Sequence, residues 1–370
     1  MTTDDDLKYK IAFSRLPGMN VRLGRELLPR IGGERQFFGA SASALSAVMS
    51  FSSRLFSDEI RQKALSEATV ECGFITMNHI RALYFDSPCY PQALLECDDA
   101  PVMLYQLGSL DLNSVKCLSI VGTRHGTAYG TGFVSKLVAS VAAMVAEPVA
   151  IVSGLAYGID VAAHRASLEN DIPTVGVLAH GLSMIYPAVH RSVAAEIVSK
   201  GGALLTEYVS KDPVHKGNFL ARNRIVAGLS SATFVAESDV KGGALVTARL
   251  ALDYGRDVMA LPGRVNDKYS RGCNSLIERN VASIVTSPDQ VIDSLGWKRR
   301  DREGLQQELF KELNTLEQQI VNTLTEYGEQ RLDELQNRIA VPTARLMATL
   351  IDMEFREIIT AIPGGRYRLG

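Results

Sequence analysis

Positive charge set beside glycine is the recurring chemical theme of this chain. At Gly122-Thr123-Arg124 a short apolar run, residues 117–121, ends in a small-residue turn, with Gly126 and Gly130 before a helix-forming stretch. A glycine-opened joint from strand to helix points unpaired backbone N–H groups and a positive dipole end at one place. Arginine beside such donors suits a phosphate. The same residues also describe a plain tight joint whose arginine faces solvent, and this stretch alone leaves both readings open.

Three further stretches repeat or complement that design. Residues 149–160 run from an apolar strand through Ser153 and Gly154 to Asp160, which fits the first turn of a helix. His164 follows four residues on, on the same helical face. The two could be an acid–base pair, or a capping aspartate beside a packed histidine; no nucleophile or metal-ligand spacing accompanies them. Residues 211–228 hold His215, Lys216, Arg222 and Arg224, with Asn218 and Asn223 interleaved and Phe219 among them. Cations around one ring suit single-stranded nucleic acid, because charges hold phosphates and the ring stacks a base. A solvated loop with a core-plugging phenylalanine is the other reading. Arg222 and Arg224 point different ways on a helix, which leaves a structural role open for at least one. Finally, Gly242-Gly243 opens a helix after another strand, preceded by Lys241, and the glycine- and asparagine-rich stretch 260–277 is either a rim of the same face or a simple connection.

The elements that must position these residues alternate. Strands are predicted at 117–121, 149–152, 174–178, 203–206, 232–236, 257–261 and 283–285. Helices fall between them near 131–146, 159–170, 190–200, 222–229, 244–255 and 273–280. Alternation with nearly continuous apolar strands implies a parallel sheet covered on both faces, with ligands beyond the strands' carboxyl ends where strand order reverses. Three helix starts aimed at one sheet edge, near Arg124 and Lys216, would concentrate positive potential in one groove.

Around this block, residues 7–82 read as all-helical. Leu16-Pro-Gly-Met leads into a helix that stops at Gly32-Gly33, similar to a helix-hairpin-helix unit, with Asn20 where a second hairpin glycine is usual. Residues 84–108 read as a proline-punctuated linker entering a strand near 102–107. A charged, glycine-punctuated boundary lies at 296–305. The tail holds helices at 312–326, 331–339 and 343–355 and a closing hairpin with a Pro-Gly-Gly turn, the order of a winged helix. The fold expected is α/β: an extended Rossmann-like doubly wound sheet (83–296), flanked by a helical helix-hairpin-helix or SAM-like domain (1–82) and a winged-helix domain (297–370).

Bulk composition announces no partner. The 370 residues are 46% hydrophobic and 22% charged, with a formal net charge of −2, so any anion site must be local. Five cysteines without a CxxC spacing suggest reduced thiols, with no disulfide framework and no metal site. The acidic start and the lack of a long apolar run suggest a cytoplasmic protein with neither signal peptide nor membrane span.

Eight blocks occur in one order and spacing: residues 120–124, 153–160, Ala163-His164, Ile185-Tyr-Pro187, Phe219 with 221–230, 243–248, 261–263 and 274–277. In that order the chain resembles the DNA-processing protein A (DprA, also called Smf) family over roughly 80–290. Two departures stand out: Leu220 takes the place of a proline after the phenylalanine, and Gly242-Gly243-Ala244 replaces a serine-flanked glycine.

The resemblance implies a cytoplasmic protein of bacterial DNA uptake and natural transformation. It would be non-catalytic and without cofactor, a homodimer that binds single-stranded DNA, displaces single-strand-binding protein and loads the RecA recombinase. The family's phosphate-holding turn maps onto Gly122, Thr123 and Arg124, and its charged and stacking pair onto Lys216 and Phe219. With Ser153, Gly154, Arg222, Asn223, Arg224, Gly242 and Gly243 these form the expected DNA surface, in which Arg124 anchors phosphate at one end of a groove and Phe219 stacks a base at the other. The alternative is a nucleotide-binding or nucleotide-hydrolysing Rossmann-like enzyme; against it, the glycine-opened helix lacks a following carboxylate, and Glu207 and Glu237 have no evident acid–base partner. The winged helix, whose third helix carries Arg345 as its only cation before Arg356, is expected to serve protein contact or packing.

Overall fold

A computed structural model of the chain describes residues 3–300, 313–356, 358–362 and 364–369. It divides into two units, Met1–Arg299 and Arg300–Gly370.

The first unit is built on a nine-stranded sheet. The strands are β1 Arg81–Tyr84, β2 Met103–Gly108, β3 Lys116–Val121, β4 Val149–Ser153, β5 Thr174–Val177, β6 Ala203–Thr206, β7 Ala232–Val235, β8 Asp257–Ala260 and β9 Ser283–Ile284. Their spatial order is β1-β2-β6-β5-β4-β3-β7-β8-β9. From β6 to β9 every neighbouring pair is parallel, which confirms the doubly wound α/β sheet expected from the alternation. The strands are apolar because both faces are covered. In β3, Cys117 and Val121 pack into one core while Leu118 and Ile120 pack into the other, as side chains alternate along a strand. Ser119 is the polar exception; its hydroxyl donates to Val226 O at 2.6 Å.

The proline-rich stretch before the sheet is not only a linker. β1 pairs antiparallel with β2, and β2 antiparallel with β6, so the parallel sheet is extended by two strands at one edge. β1 straddles the end of the stretch expected to be all-helical (7–82) and the start of the expected linker (84–108), because Arg-Ala-Leu-Tyr carries no pattern of its own. Its pairing with β2 makes it a strand.

The helices before β1 run Thr3–Ser14, Val21–Ile31, Glu34–Gly39, Ala42–Met49 and Asp58–Met77. Asn20 caps the second, its side chain accepting from Leu23 N at 2.9 Å, and Gly32 ends it at φ 94°. These helices share a continuous core with β1, β2 and one face of the sheet. Arg15 clasps Asp212 through its two terminal guanidinium nitrogens at 2.7 and 2.9 Å, and Glu71, buried, accepts from Ser210 N at 2.9 Å.

The second unit contains helices Thr315–Tyr327, Leu332–Ile339 and Thr343–Phe355 and strands β10 Gln330–Arg331, β11 Ile359–Ile362 and β12 Arg366–Leu369. β12 lies between the other two, antiparallel to both. The charged boundary expected at 296–305 and the start of the helix expected at 312 reach into residues 301–312, which lie outside the described residues. None of the five cysteines is joined in a disulfide, and among the described residues no helix is long and apolar enough to cross a membrane.

Candidate nucleic-acid interface

Strand order reverses beside β3: β4, β5 and β6 follow on one side and β7, β8 and β9 on the other. Beyond the carboxyl ends of β3, β4 and β7 lies a cleft of about 340 Å³. That is where an open α/β sheet offers a crevice, since the loops leaving β3 and β7 diverge there.

The turn after β3 forms one wall. Gly122 is required because a Cβ would come within 2.5 Å of Ile159 Cγ1. Thr123 N donates to Glu237 O at 2.7 Å, tying the turn to the end of β7. Thr123, in the turn before the following helix, Ala128–Met144, does not cap it. Thr127 does, accepting from Gly130 N, while the Thr123 hydroxyl oxygen accepts from His125 N at 3.2 Å. Thr127 is in turn gripped by the buried Glu237 carboxylate, which accepts from Thr127 N at 2.8 Å and from its hydroxyl at 2.5 Å. Glu237 therefore has a structural partner rather than an acid–base one.

The remaining walls are helix starts. Ala156 and Asp160 line the cleft at the opening of helix Ile159–Glu169, Phe219 and Leu220 in the first turns of helix Lys216–Leu229, and Gly242, Gly243 and Ala244 at the opening of helix Gly243–Asp253. Of the helix starts expected after β3, β4 and β7, those after β4 and β7 open onto the cleft; the helix after β3 begins only at Ala128, beyond the cleft lining, and helix Lys216–Leu229 takes its place there. The helix expected at 222–229 begins six residues earlier, at Lys216, because the His215 ring caps it, Nδ1 accepting from Gly217 N at 3.1 Å. Gly217 and Asn218, poor helix formers, hid this turn from the sequence reading.

Charge and aromatic surface meet at one point. The Arg124 guanidinium lies over the Phe219 ring, 5.4 Å from its centroid. The two were expected at opposite ends of a groove; the structure puts them in contact, because the turn after β3 and the helix entering β7 flank the same crevice. Arg124 is exposed, and among the described residues no carboxylate lies within ion-pair distance of it. Lys216, one turn before Phe219, is likewise exposed and unpaired among them, outside the cleft proper. Asn223 lines the cleft, with Nδ2 3.5 Å from Gly243 O.

Several expected DNA contacts sit elsewhere. Ser153 is wholly buried in β4 and its hydroxyl donates to Ile120 O at 2.6 Å, so it cannot reach a strand of DNA from there. Arg224 pairs with Glu207 on the other side of its helix. Arg222 forms the cleft floor, only 4% exposed, with its Nη1 donating to Val177 O. Its guanidinium packs against Gly154, where any Cβ would overlap it, so Gly154 acts by leaving room for Arg222. Burial holds the Arg222 pKa below its usual value; Asp160 opposes that shift and Arg124 adds to it. Burial pushes the Asp160 carboxyl up, and Arg222 pulls it back.

His164 is no partner of Asp160. Its Nδ1 lies 2.8 Å from the Thr174 hydroxyl, which itself donates to Ile151 O at 2.7 Å. With that hydroxyl proton committed, His164 Nδ1–H is the donor and the ring is neutral. Burial lowers its pKa to about 3.

Residues that the sequence reading missed complete the surroundings. His125 lines the cleft and stacks on Tyr269, ring centroids 5.9 Å apart, which brings the loop after β8 alongside. Tyr186 packs edge-on against Phe219 at 5.8 Å. No residue-type rule links these rings; the topology does.

A family model described as DNA recombination-mediator protein A matches residues 81–296. The chain is 33% identical over 291 residues to Protein Smf of Escherichia coli (strain K12), covering 77% of this chain and 76% of that protein. It superposes with TM-score 0.64 on the crystal structure of DNA processing protein A from Streptococcus pneumoniae, 29% identical, over 79% of this chain and 98% of that one. It also superposes with TM-score 0.52 on DNA processing protein A from Helicobacter pylori, 30% identical, over 59% and 97%. That structure is described as revealing a single-stranded DNA binding mode.

Proposed function

The chain belongs to the DNA recombination-mediator protein A family, and from that premise we propose that it is a recombination mediator that holds single-stranded DNA at the cleft beyond β3, β4 and β7. The observation that carries this reading is the exposed Arg124 guanidinium over the Phe219 ring, with no carboxylate in ion-pair distance among the described residues, beside the helix starts at Ile159 and Gly243. Phosphate needs the charge and the backbone donors, and a base needs the ring. In this reading Gly122, Thr123 and Arg124 cradle a phosphate, with Lys216, Phe219, Asn223, Gly242 and Gly243 along the strand's path. Arg222 and Gly154 form the floor and contribute positive potential from beneath.

The finer parts of the proposal rest on family membership. The protein acts as a homodimer in the cytoplasm during DNA uptake, displaces single-strand-binding protein and loads RecA. Its second unit is a winged helix serving protein contact. It carries out no chemistry and needs no cofactor. Two features of the site support a binding role: the Asp160 carboxyl is buried beside Arg222, and His164 is turned away to Thr174.

Fluorescence anisotropy with a labelled dT oligomer across a salt series tests this. Wild type binds with an affinity that falls steeply with salt, and Arg124→Ala reduces the slope by about 0.7, one single-strand phosphate. Phe219→Ala weakens binding by about 1–3 kcal/mol. Because the two side chains touch, the double variant loses less than the sum, by about 0.5 kcal/mol or more. Binding insensitive to salt, or hydrolysis of a nucleoside monophosphate, sinks the reading and favours a nucleotide enzyme.

A further inference from the structure

The segment between β5 and helix Arg191–Ser199 contains the Ile185-Tyr186-Pro187 block, which the cleft itself does not use. Unlike the cleft floor, it is apolar and open to solvent. Met184, Tyr186 and Val189 are exposed, as is Leu220 on the facing helix beside Phe219. Tyr186 against Phe219 and Leu220 in the lining put exposed apolar side chains at the mouth of a charged cleft, the character of a contact surface.

Tyr186 is the ring of this segment that meets the cleft. Its ring stands 5.8 Å from the Phe219 ring at 62°, and Tyr186 is 45% exposed. Phe219 is half-buried, with Arg124 lying over it and Tyr186 against it, so Tyr186 is the more open of the two rings. The Tyr186 hydroxyl makes no hydrogen bond among the described residues, so no polar partner accounts for its position. The backbone, by contrast, is held. Tyr186 N donates to His180 Nε2 at 3.2 Å, and the Ser183 hydroxyl donates to Ser210 O at 2.6 Å, fastening the segment to the loop that leads into Lys216 and Phe219. The ring is thus presented on a fixed support, as stacking platforms are.

We propose that Tyr186 is a second base-stacking residue, which takes the nucleotide next to the one at Phe219 and so extends the bound strand out of the cleft across the 184–189 rim. The proposal rests on the reading of the cleft as a single-stranded DNA site. Successive aromatic rings along a cationic groove bind bases without regard to sequence.

Anisotropy with a labelled dT oligomer on wild type, Tyr186→Ala and Tyr186→Phe tests it. Tyr186→Ala is expected to raise Kd at least about fivefold, the low end for one stacked base, with an unchanged salt slope because no phosphate contact is lost. Tyr186→Phe keeps the ring and restores Kd to wild type. Thermal midpoints of both variants match wild type. In wild type, irradiation of an oligomer carrying 5-iododeoxyuridine cross-links a peptide that contains Tyr186, and this decides the matter should Tyr186→Ala fail to fold. Wild-type affinity in Tyr186→Ala, a loss that phenylalanine does not restore, or cross-links confined to other peptides would overturn the proposal while leaving the cleft's function standing. A wild type that binds no oligomer overturns both.

Discussion

At the scale of single residues, burial separates side chains that composition treats alike. Arg124, Arg222 and Arg224 are three arginines in one reading of a basic surface, yet one faces solvent on an aromatic ring, one floors the cleft and one pairs with Glu207. Glycine and arginine spacing made the turn after β3 legible. Burial was not legible, because a helix face is given meaning only by what packs on it. His164 carries a testable consequence of the same kind. Its folded pKa, about 3, lies below its usual 6.5, so its neutral form contributes stability that is fully present above pH 6.5. That contribution is lost as pH falls from 6.5 toward 3, because the unfolded chain takes up a proton that the folded chain refuses, at about 1.4 kcal/mol per pH unit. Urea midpoints measured from pH 7 to pH 4 should therefore fall less steeply for His164→Gln than for wild type, even though the variant is weaker at pH 7. Parallel curves would mean that His164 takes up its proton at the same pH folded and unfolded.

At the scale of elements, the site depends on one long-range clamp. The turn after β3 owes its shape to Glu237 at the end of β7, which holds Thr127 through two hydrogen bonds and leaves room for no side chain at Gly130. Glu237→Ala removes the charged acceptor of both Thr127 bonds and should cost about 1.5–3 kcal/mol by urea denaturation. It should also weaken dT binding, because Arg124 loses its fixed support. Glu237→Gln can still accept from Thr127 N and donate to its hydroxyl, so it should retain most of both. An alanine variant with wild-type DNA affinity would show that the turn holds its shape unaided. Helix and strand order in this region follow directly from hydrophobic period, as the parallel strands show. The start of helix Lys216–Leu229 and the strand β1 did not, since one depends on a histidine cap and the other on a partner strand distant in sequence.

At the scale of the molecule, the N-terminal helices and the sheet form one unit, and polar contacts reinforce the apolar core between them. Arg15 bonds to Glu67 on its own side and to Asp212 in the loop that leads into Lys216 and Phe219. Arg15→Ala leaves two carboxylates without their counter-charge in a partly buried setting and should cost about 1–3 kcal/mol, read from the denaturation midpoint. A change below about 0.5 kcal/mol would place this contact among ordinary surface pairs. The sequence by itself determined the alternation of strands and helices, the doubly wound class and the glycine-arginine turn, because period, glycine placement and residue type are local properties. Only the tertiary structure decided which of the cations face the cleft, that Arg124 lies on Phe219, and that Tyr186 stands beside them. These are consequences of strand order: the reversal at β3 and β7 brings together loops separated by about a hundred residues of chain, and no local pattern encodes a meeting at that distance.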